Sequence, residues 1–269
     1  MATSTDDHEQ QAPARASTRV RVGTFNIHHG VGANGDLDLT RTAAAIADLD
    51  ADLVGLQEVD RHWAGRSGFA DQAEDLANRL DMHLAFGASL SRRRRRRRDK
   101  QQGQYGNALL SRFPIRNVQS TLLPHPRGGE QRVLLDTEVV VDGLVMRCLV
   151  THLHHLMRSE RLAQAETING TVTSREMPTV LLGDLNSAPG SPEIRTLTEH
   201  LVDAWFVGGL VRGSGNGCTY STHTPFVRID YVLASPDIAV EQVRVVSSEA
   251  SDHLPVAADL RLPRPSEVG

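Results

Sequence analysis

Cysteine is nearly absent: the 269 residues contain two, Cys148 and Cys218. They stand far apart, and Cys148 lies inside an apolar run, so reduced thiols rather than a disulfide framework are the simple reading. Long apolar runs are missing as well. No stretch approaches the ~20 apolar residues that span a bilayer. The opening MATSTDDHEQQAPARAST has no apolar segment of the signal-peptide kind. A soluble, cytoplasmic, monomeric chain is therefore expected, with a disordered tail over residues 1–18 and one domain over 19–263. Linker-like stretches are lacking within that domain, and no internal repeat signals a solenoid. Basic charge is scarce except at one point. Net charge is −4, but Arg92 to Arg98 are seven consecutive arginines, which leaves −11 on the remainder. Such a run reads first as a solvated loop, because adjacent like charges repel. Its density keeps open a second role as a dock for a polyanion, nucleic acid included.

What is present suffices for a packed core, since 39% of the residues are apolar. VRVGTFNI is a strand by its Val, Phe and Ile content. Leu39, Ala43, Ile46 and Leu49 then recur at helical spacing, and DLVGLQEV reads as a short buried strand. Ala73, Leu76, Ala77 and Leu80 mark a second helix. The middle is richer in strands: YGNALLSRF, RNVQSTLL, RVLLDTEVVV and GLVMRCLVTHL, with Asp142-Gly143 as a two-residue hairpin turn. A helix over about 159–173 uses Leu162, Ala165, Ile168 and Val172. PTVLLGDLN, a helix from about Pro192, and the strands FVRIDYVLA, AVEQVRVV and PVAADLRL complete the chain. Many strands with interspersed helices indicate a layered α/β domain.

Polar residues gather where these strands end. Asn26 closes the first, Gln57 and Glu58 the second, and His152 ends CLVTH. Asp184 and Asn186 end VLLGDLN, Asp230 lies in RIDYV, and Asp252 with His253 opens the last strand. Taken alone, Asp252-His253 reads as a turn with a solvated histidine. Taken together, the strand ends describe one polar cluster at a sheet edge. Glu58, Asp184, Asp230 and Asp252 are hard oxygen donors suited to Mg²⁺ or Mn²⁺. Zinc fits less well, since no cysteine takes part. A hard divalent ion polarises a phosphoryl oxygen, an amide donates to an oxyanion, and imidazole and carboxylate handle protons.

The stretches TFNI, LQEV, YGNALLSR, VTHLH, LLGDLNSAPGSPE, RIDYVLAS and SDHLPV resemble, in order, the motifs of the endonuclease/exonuclease/phosphatase superfamily. The resemblance covers residues from about 19 to 262. It implies a four-layered α/β sandwich, with two mixed β-sheets packed face to face, helices on the outer faces and the active site at one end. It further implies a phosphoesterase acting on a phosphate ester, with nucleic acid, lipid and small diesters all open as substrates. A non-catalytic binding protein with the same fold is the alternative.

By position, the resemblance gives Asn26 and Glu58 as metal ligands, with Asp252 beside them. Asp184 would orient or deprotonate the attacking water, and Asn186 would steady the phosphoryl group. His253 would face the phosphate with its ring fixed by Asp230. His152 matches a histidine of the deoxyribonuclease, sphingomyelinase and phosphatase branches. There are also departures. The deoxyribonuclease branch supports that histidine with an upstream carboxylate, where this chain has Gln102 and Gln104. The run after GDLN is unlike that of inositol polyphosphate 5-phosphatases and closer to deadenylases. The stretch NIHHGVGANGDLDL is similar to bacterial hydrolases related to a GPI-anchor remodelling protein. Tyr105, Asn107 and Arg132 are candidate substrate contacts, although a strand aromatic explains Tyr105 equally and a surface arginine is the stronger reading of Arg132. His154 and His155 read as surface residues or as support behind the site.

Overall fold

Twelve strands form two six-stranded sheets in the computed structural model, which describes residues 18–93, 102–125, 128–209 and 216–263. Residues 1–17 of the expected tail and Arg94 to Arg98 lie outside the described residues. In chain order the elements are β1 (Arg19–Asn26), α1 (Leu39–Ala47), β2 (Leu53–Arg61), α2 (Gln72–Leu80), β3 (His83–Arg93) and β4 (Gln102–Ser111). Then follow β5 (Ile115–Leu122), β6 (Val133–Val141), β7 (Leu144–His152), α3 (Arg158–Thr173), β8 (Thr179–Asp184) and α4 (Pro192–Leu197). The last are β9 (Val202–Asp203), α5 (Ala204–Gly208), β10 (Asp230–Ala234), β11 (Ala239–Val245) and β12 (Val256–Arg261).

One sheet has the order β11-β12-β1-β2-β4-β3, the other β5-β6-β7-β8-β10-β9. Each is mixed, because β1 pairs with β2 and β7 with β8 in parallel while the other neighbours are antiparallel. Side chains two apart share a face, so Val20 and Val22 of β1 and Cys148 and Val150 of β7 point between the sheets. Phe25 of β1 points outward and packs with Ile46 of α1 and Leu76 of α2. Leu149 of β7 does the same with Ile168 of α3 and Leu197 of α4. The result is the expected four-layered sandwich. Each fully buried Leu or Val adds roughly 1.5–3 kcal/mol to its stability.

Local sequence sets the ends of these elements. The Asp38 carboxylate accepts from the amides of Thr40 and Arg41 at 2.9 and 3.0 Å and so starts α1. Asp142 and Gly143 both have positive φ, 49° and 85°, as a two-residue hairpin turn between β6 and β7 requires. Three boundaries differ from expectation. FVRIDYVLA enters its strand only at Asp230, because Val227 bridges Tyr220 instead. The last strand begins at Val256; Asp252 lies in the bend before it, and His253 forms an isolated bridge with Tyr220. The strand β3 is additional to those expected from the sequence; its large apolar residues are only Leu84, Phe86 and Leu90, and it runs into the arginines.

Candidate active site

Strand register builds the centre of the site. His152 at the end of β7 is level with Asp184 at the end of β8, and Asp184 is level with Asp230 at the start of β10. Directly opposed like charges destabilise a sheet, and His253 relieves the conflict. Its Nδ1 is 2.9 Å from Asp230 Oδ2, and its Nε2 is 3.7 Å from Asp184 Oδ2. Burial disfavours a charged imidazole, but the two carboxylates outweigh it and push His253 up to about 10. Burial pushes Asp184 up as well, to about 7; the charge of His253 opposes the rise and Asp230 adds to it. Asp184 Oδ1 accepts from the amide of Asn186, which turns the chain there at a φ of 47°.

The other sheet contributes Asn26 and Glu58. The register of β2 against β4 shifts between Leu56 and Val59, and Glu58 within that bulge has a φ of 58°. A bulge redirects a side chain at a sheet rim, and this one aims Glu58 at Asn26. Asn26 Nδ2 donates to Glu58 Oε1 at 3.2 Å and to Asp184 Oδ2 at 3.1 Å, which links the two sheets. Burial would raise Glu58, but the neighbouring His29, the hydrogen bond from Asn26 and the charge of nearby imidazoles hold it well below the usual carboxylate range. Asp252 is half-exposed and meets the cluster through His28, whose Nδ1 is 3.7 Å from its Oδ1.

His152 is met at Nδ1 by Arg132 Nη1, 3.1 Å away. A guanidinium only donates, so the ring proton of neutral His152 belongs on Nε2. That atom lies 3.3 Å from Asp184 Oδ2. Asn186 Nδ2, 2.9 Å from the same nitrogen, is then a contact, and it donates to the Leu153 carbonyl at 3.0 Å. Burial, reinforced by the Arg132 charge, holds His152 well below its ordinary value. The surface reading of Arg132 is wrong, because the residue is 3% exposed and also pairs with Glu130 at 2.9 Å. His154 is buried too, with its Nδ1 accepting from the amides of Leu156 and Met157. Buried Tyr105 has its hydroxyl raised by burial and then by the charge of Glu58. Asn107 is buried and donates to the Val133 carbonyl at 3.0 Å.

Two residues that the sequence reading left out of the site now belong to it. His28 and His29 follow Asn26 by two and three positions, and His29 Nδ1 is 3.6 Å from Glu58 Oε2. The signal was visible as an imidazole pair directly after a strand end. At the rim, the Arg92 guanidinium stacks 4.3 Å from the Trp63 ring centre and donates to the Trp63 carbonyl. A surface cavity of about 790 Å³ lies at the opposite end of the strands, around Val145, Thr179 and Ser235, away from this chemistry.

Comparison with known proteins shows relatives of this chain and of its fold. The profile of the endonuclease/exonuclease/phosphatase family matches residues 23–253. The uncharacterised protein YbhP of Escherichia coli is 26% identical over 265 residues, covering 90% of this chain and 96% of that protein. Protein cwh43 of Schizosaccharomyces pombe is 29% identical over 178 residues, covering 66% of this chain. The match spans only 17% of that longer protein. The crystal structure of an endonuclease/exonuclease/phosphatase from Beutenbergia cavernae superposes with a TM-score of 0.74 at 30% identity, over 91% of this chain and 72% of that one.

Proposed function

The chain belongs to the endonuclease/exonuclease/phosphatase family, and on that premise we propose that it is a divalent-metal-dependent phosphodiester hydrolase, with nucleic acid as the first substrate class to test. Members of this family generally hydrolyse phosphoester bonds and typically depend on a divalent metal. One observation carries the reading. The buried Asp184 Oδ2 sits 3.1 Å from Asn26, 3.3 Å from His152 and 3.7 Å from His253, at the meeting point of both sheets.

The residues fit a hard cation. Glu58 is held ionised, and it forms an ion-pair contact with the His29 imidazole. Glu58, the Asn26 amide oxygen and Asp252 would hold the ion. Mg²⁺ or Mn²⁺ bound there supplies Lewis-acid polarisation of the phosphoryl oxygen.

The rest falls to the chain. Asp184, raised to about 7, accepts the proton of the attacking water near neutral pH. His253, kept charged by Asp230, faces the phosphoryl group as a donor. His152 presents its Nε2 proton because Arg132 occupies Nδ1, and Asn186 completes the donors around the phosphoryl oxygens. Arg132 thus acts through His152 and Asn107 through the strand it bonds, while Tyr105 faces the substrate beside Glu58.

A second reading, a substrate with an apolar portion such as a phospholipid, is favoured by the rim. Leu156 and Phe226 are 73% and 70% exposed. Phe226 packs edge-on against Tyr220, whose ring lies 4.9 Å from that of His253. A hydrolysis panel separates the readings: DNA, RNA, sphingomyelin, phosphoinositides and bis-p-nitrophenyl phosphate, each with Mg²⁺ and with Mn²⁺. Turnover of nucleic acid above the lipids supports the first reading, and the reverse order supports the second. Inactivity on every diester contradicts both.

A further inference from the structure

The turn after β1 is built in an unusual way. His28 and His29 both take left-handed backbone angles, φ 44° in each case. Side chains other than glycine and asparagine seldom settle there without a reason in the surrounding structure. Several bonds hold the turn in place. Asn26 Oδ1 accepts from the His28 amide at 3.1 Å, Gln72 Nε2 donates to the His29 carbonyl at 2.6 Å, and the Gly30 amide bonds the Ile27 carbonyl at 2.8 Å. Ser251 Oγ donates to the Asn26 carbonyl at 2.7 Å, which ties the turn to the segment carrying Asp252.

The turn aims both imidazoles into the acidic cluster. Their Nδ1 atoms are buried, and neither makes a hydrogen bond. His29 Nδ1 points at Glu58 from 3.6 Å and His28 Nδ1 at Asp252 from 3.7 Å. One ring nitrogen of each histidine and a Glu58 oxygen lie within 4.8 Å of one another. Three ligands bound about 2.1 Å from one ion lie about 3.0–3.6 Å from one another. The His29–Glu58 pair, at 3.6 Å, already has that spacing, and closure by about 1–2 Å at most brings the third onto a common centre. Buried polar atoms are almost always partnered, and two orphaned ring nitrogens facing carboxylates have the donor chemistry of a metal site.

We infer that His28 and His29 ligate the metal through Nδ1, so that the site is a mixed nitrogen and oxygen site selective for Mn²⁺ over Mg²⁺. The inference rests on the proposal that Glu58 holds a divalent ion. Imidazole suits transition metals, whereas Mg²⁺ favours oxygen and retains its waters. A site of carboxylate and amide oxygens alone would have no such preference built into it.

The test uses Mn²⁺ alone as the probe, on the full chain. Electron spin-echo envelope modulation reads nitrogen bound directly to Mn²⁺, independently of turnover. Wild type should show nitrogen modulation. His28→Asn/His29→Asn should lose it while its far-UV circular dichroism and melting temperature stay near wild type, because asparagine tolerates the left-handed angles. Removing the two ligands should weaken Mn²⁺ binding at least about 10- to 100-fold, the cost of losing even an outer partner of a ligand. Mg²⁺ affinity should change by less than about threefold. If the double variant misfolds, the wild-type modulation alone decides the matter. Mn²⁺ that binds in a Glu58-dependent way without nitrogen modulation overturns the inference and leaves the metal reading standing. Absence of Mn²⁺ binding removes both.

Discussion

Asp184 and Asp230 oppose each other across β8 and β10, and the buried imidazole of His253 turns that repulsion into a charged bridge. This arrangement has a consequence for stability when metal is stripped with EDTA. The folded-state value of His253 is raised to about 10, above the ~6.5 of an unfolded histidine. Its contribution is therefore fully present below pH ~6.5 and is lost as pH rises towards about 10. Asp184, raised to about 7, also binds its proton more tightly when folded, so its slope has the same sign between about pH 4 and 7. Denaturant melts between pH 6.5 and 10 should show stability falling, by up to ~1.4 kcal/mol per pH unit for one proton. His253→Asn should flatten that fall. A profile identical to wild type would show that the bridge does not carry the charge assigned to it.

At the scale of elements, the site depends on how closely the two sheets approach. Gly55 of β2 faces the other sheet, and a Cβ there would lie 2.9 Å from Leu182 Cβ and 3.1 Å from Val150 Cγ1. Gly55→Ala should cost ~1–3 kcal/mol through overpacking, read as a lower urea midpoint at unchanged slope. No change in midpoint would mean that the sheets separate freely at this point. Much of this layer was legible in the sequence. Apolar and β-branched content marks most strands, and acids, amides and imidazoles at their ends mark the cluster, as at Asn26, His152 and Asp184. What stayed hidden depends on geometry that only pairing creates. The bulge that turns Glu58 comes from a register shift between β2 and β4. Arg132 reads as a surface residue until the entry to β6 is seen beside the end of β7, where it meets His152. Asp252-His253 alone reads as a turn with a solvated histidine, and only the folded chain brings that histidine between Asp184 and Asp230.

The whole molecule carries −11 outside the seven arginines, so most of its surface repels a polyanion. The run begins at Arg92, which stacks on Trp63 at the site's rim, and if the run docks a polyanion, that dock starts beside the site. Changing Arg92 to Arg98 to Gly/Ser should raise the KM for nucleic acid and flatten its salt dependence, each lost phosphate contact removing about 0.7–0.9 from the log–log slope. Hydrolysis of a small diester should be unaffected. Equal responses of both substrates would mean that the run has no docking role. The account as a whole rests on a metal-dependent centre organised around Glu58 and Asp184. Its most direct test is the rate of bis-p-nitrophenyl phosphate hydrolysis by wild type, Glu58→Gln and Asp184→Asn, in EDTA and after Mn²⁺ is restored. The account predicts that wild-type activity disappears in EDTA and returns with Mn²⁺, and that both variants stay ~10²- to 10⁴-fold lower while folded. Undiminished wild-type activity in excess EDTA, or a Glu58→Gln or Asp184→Asn enzyme within threefold of wild type, would contradict it.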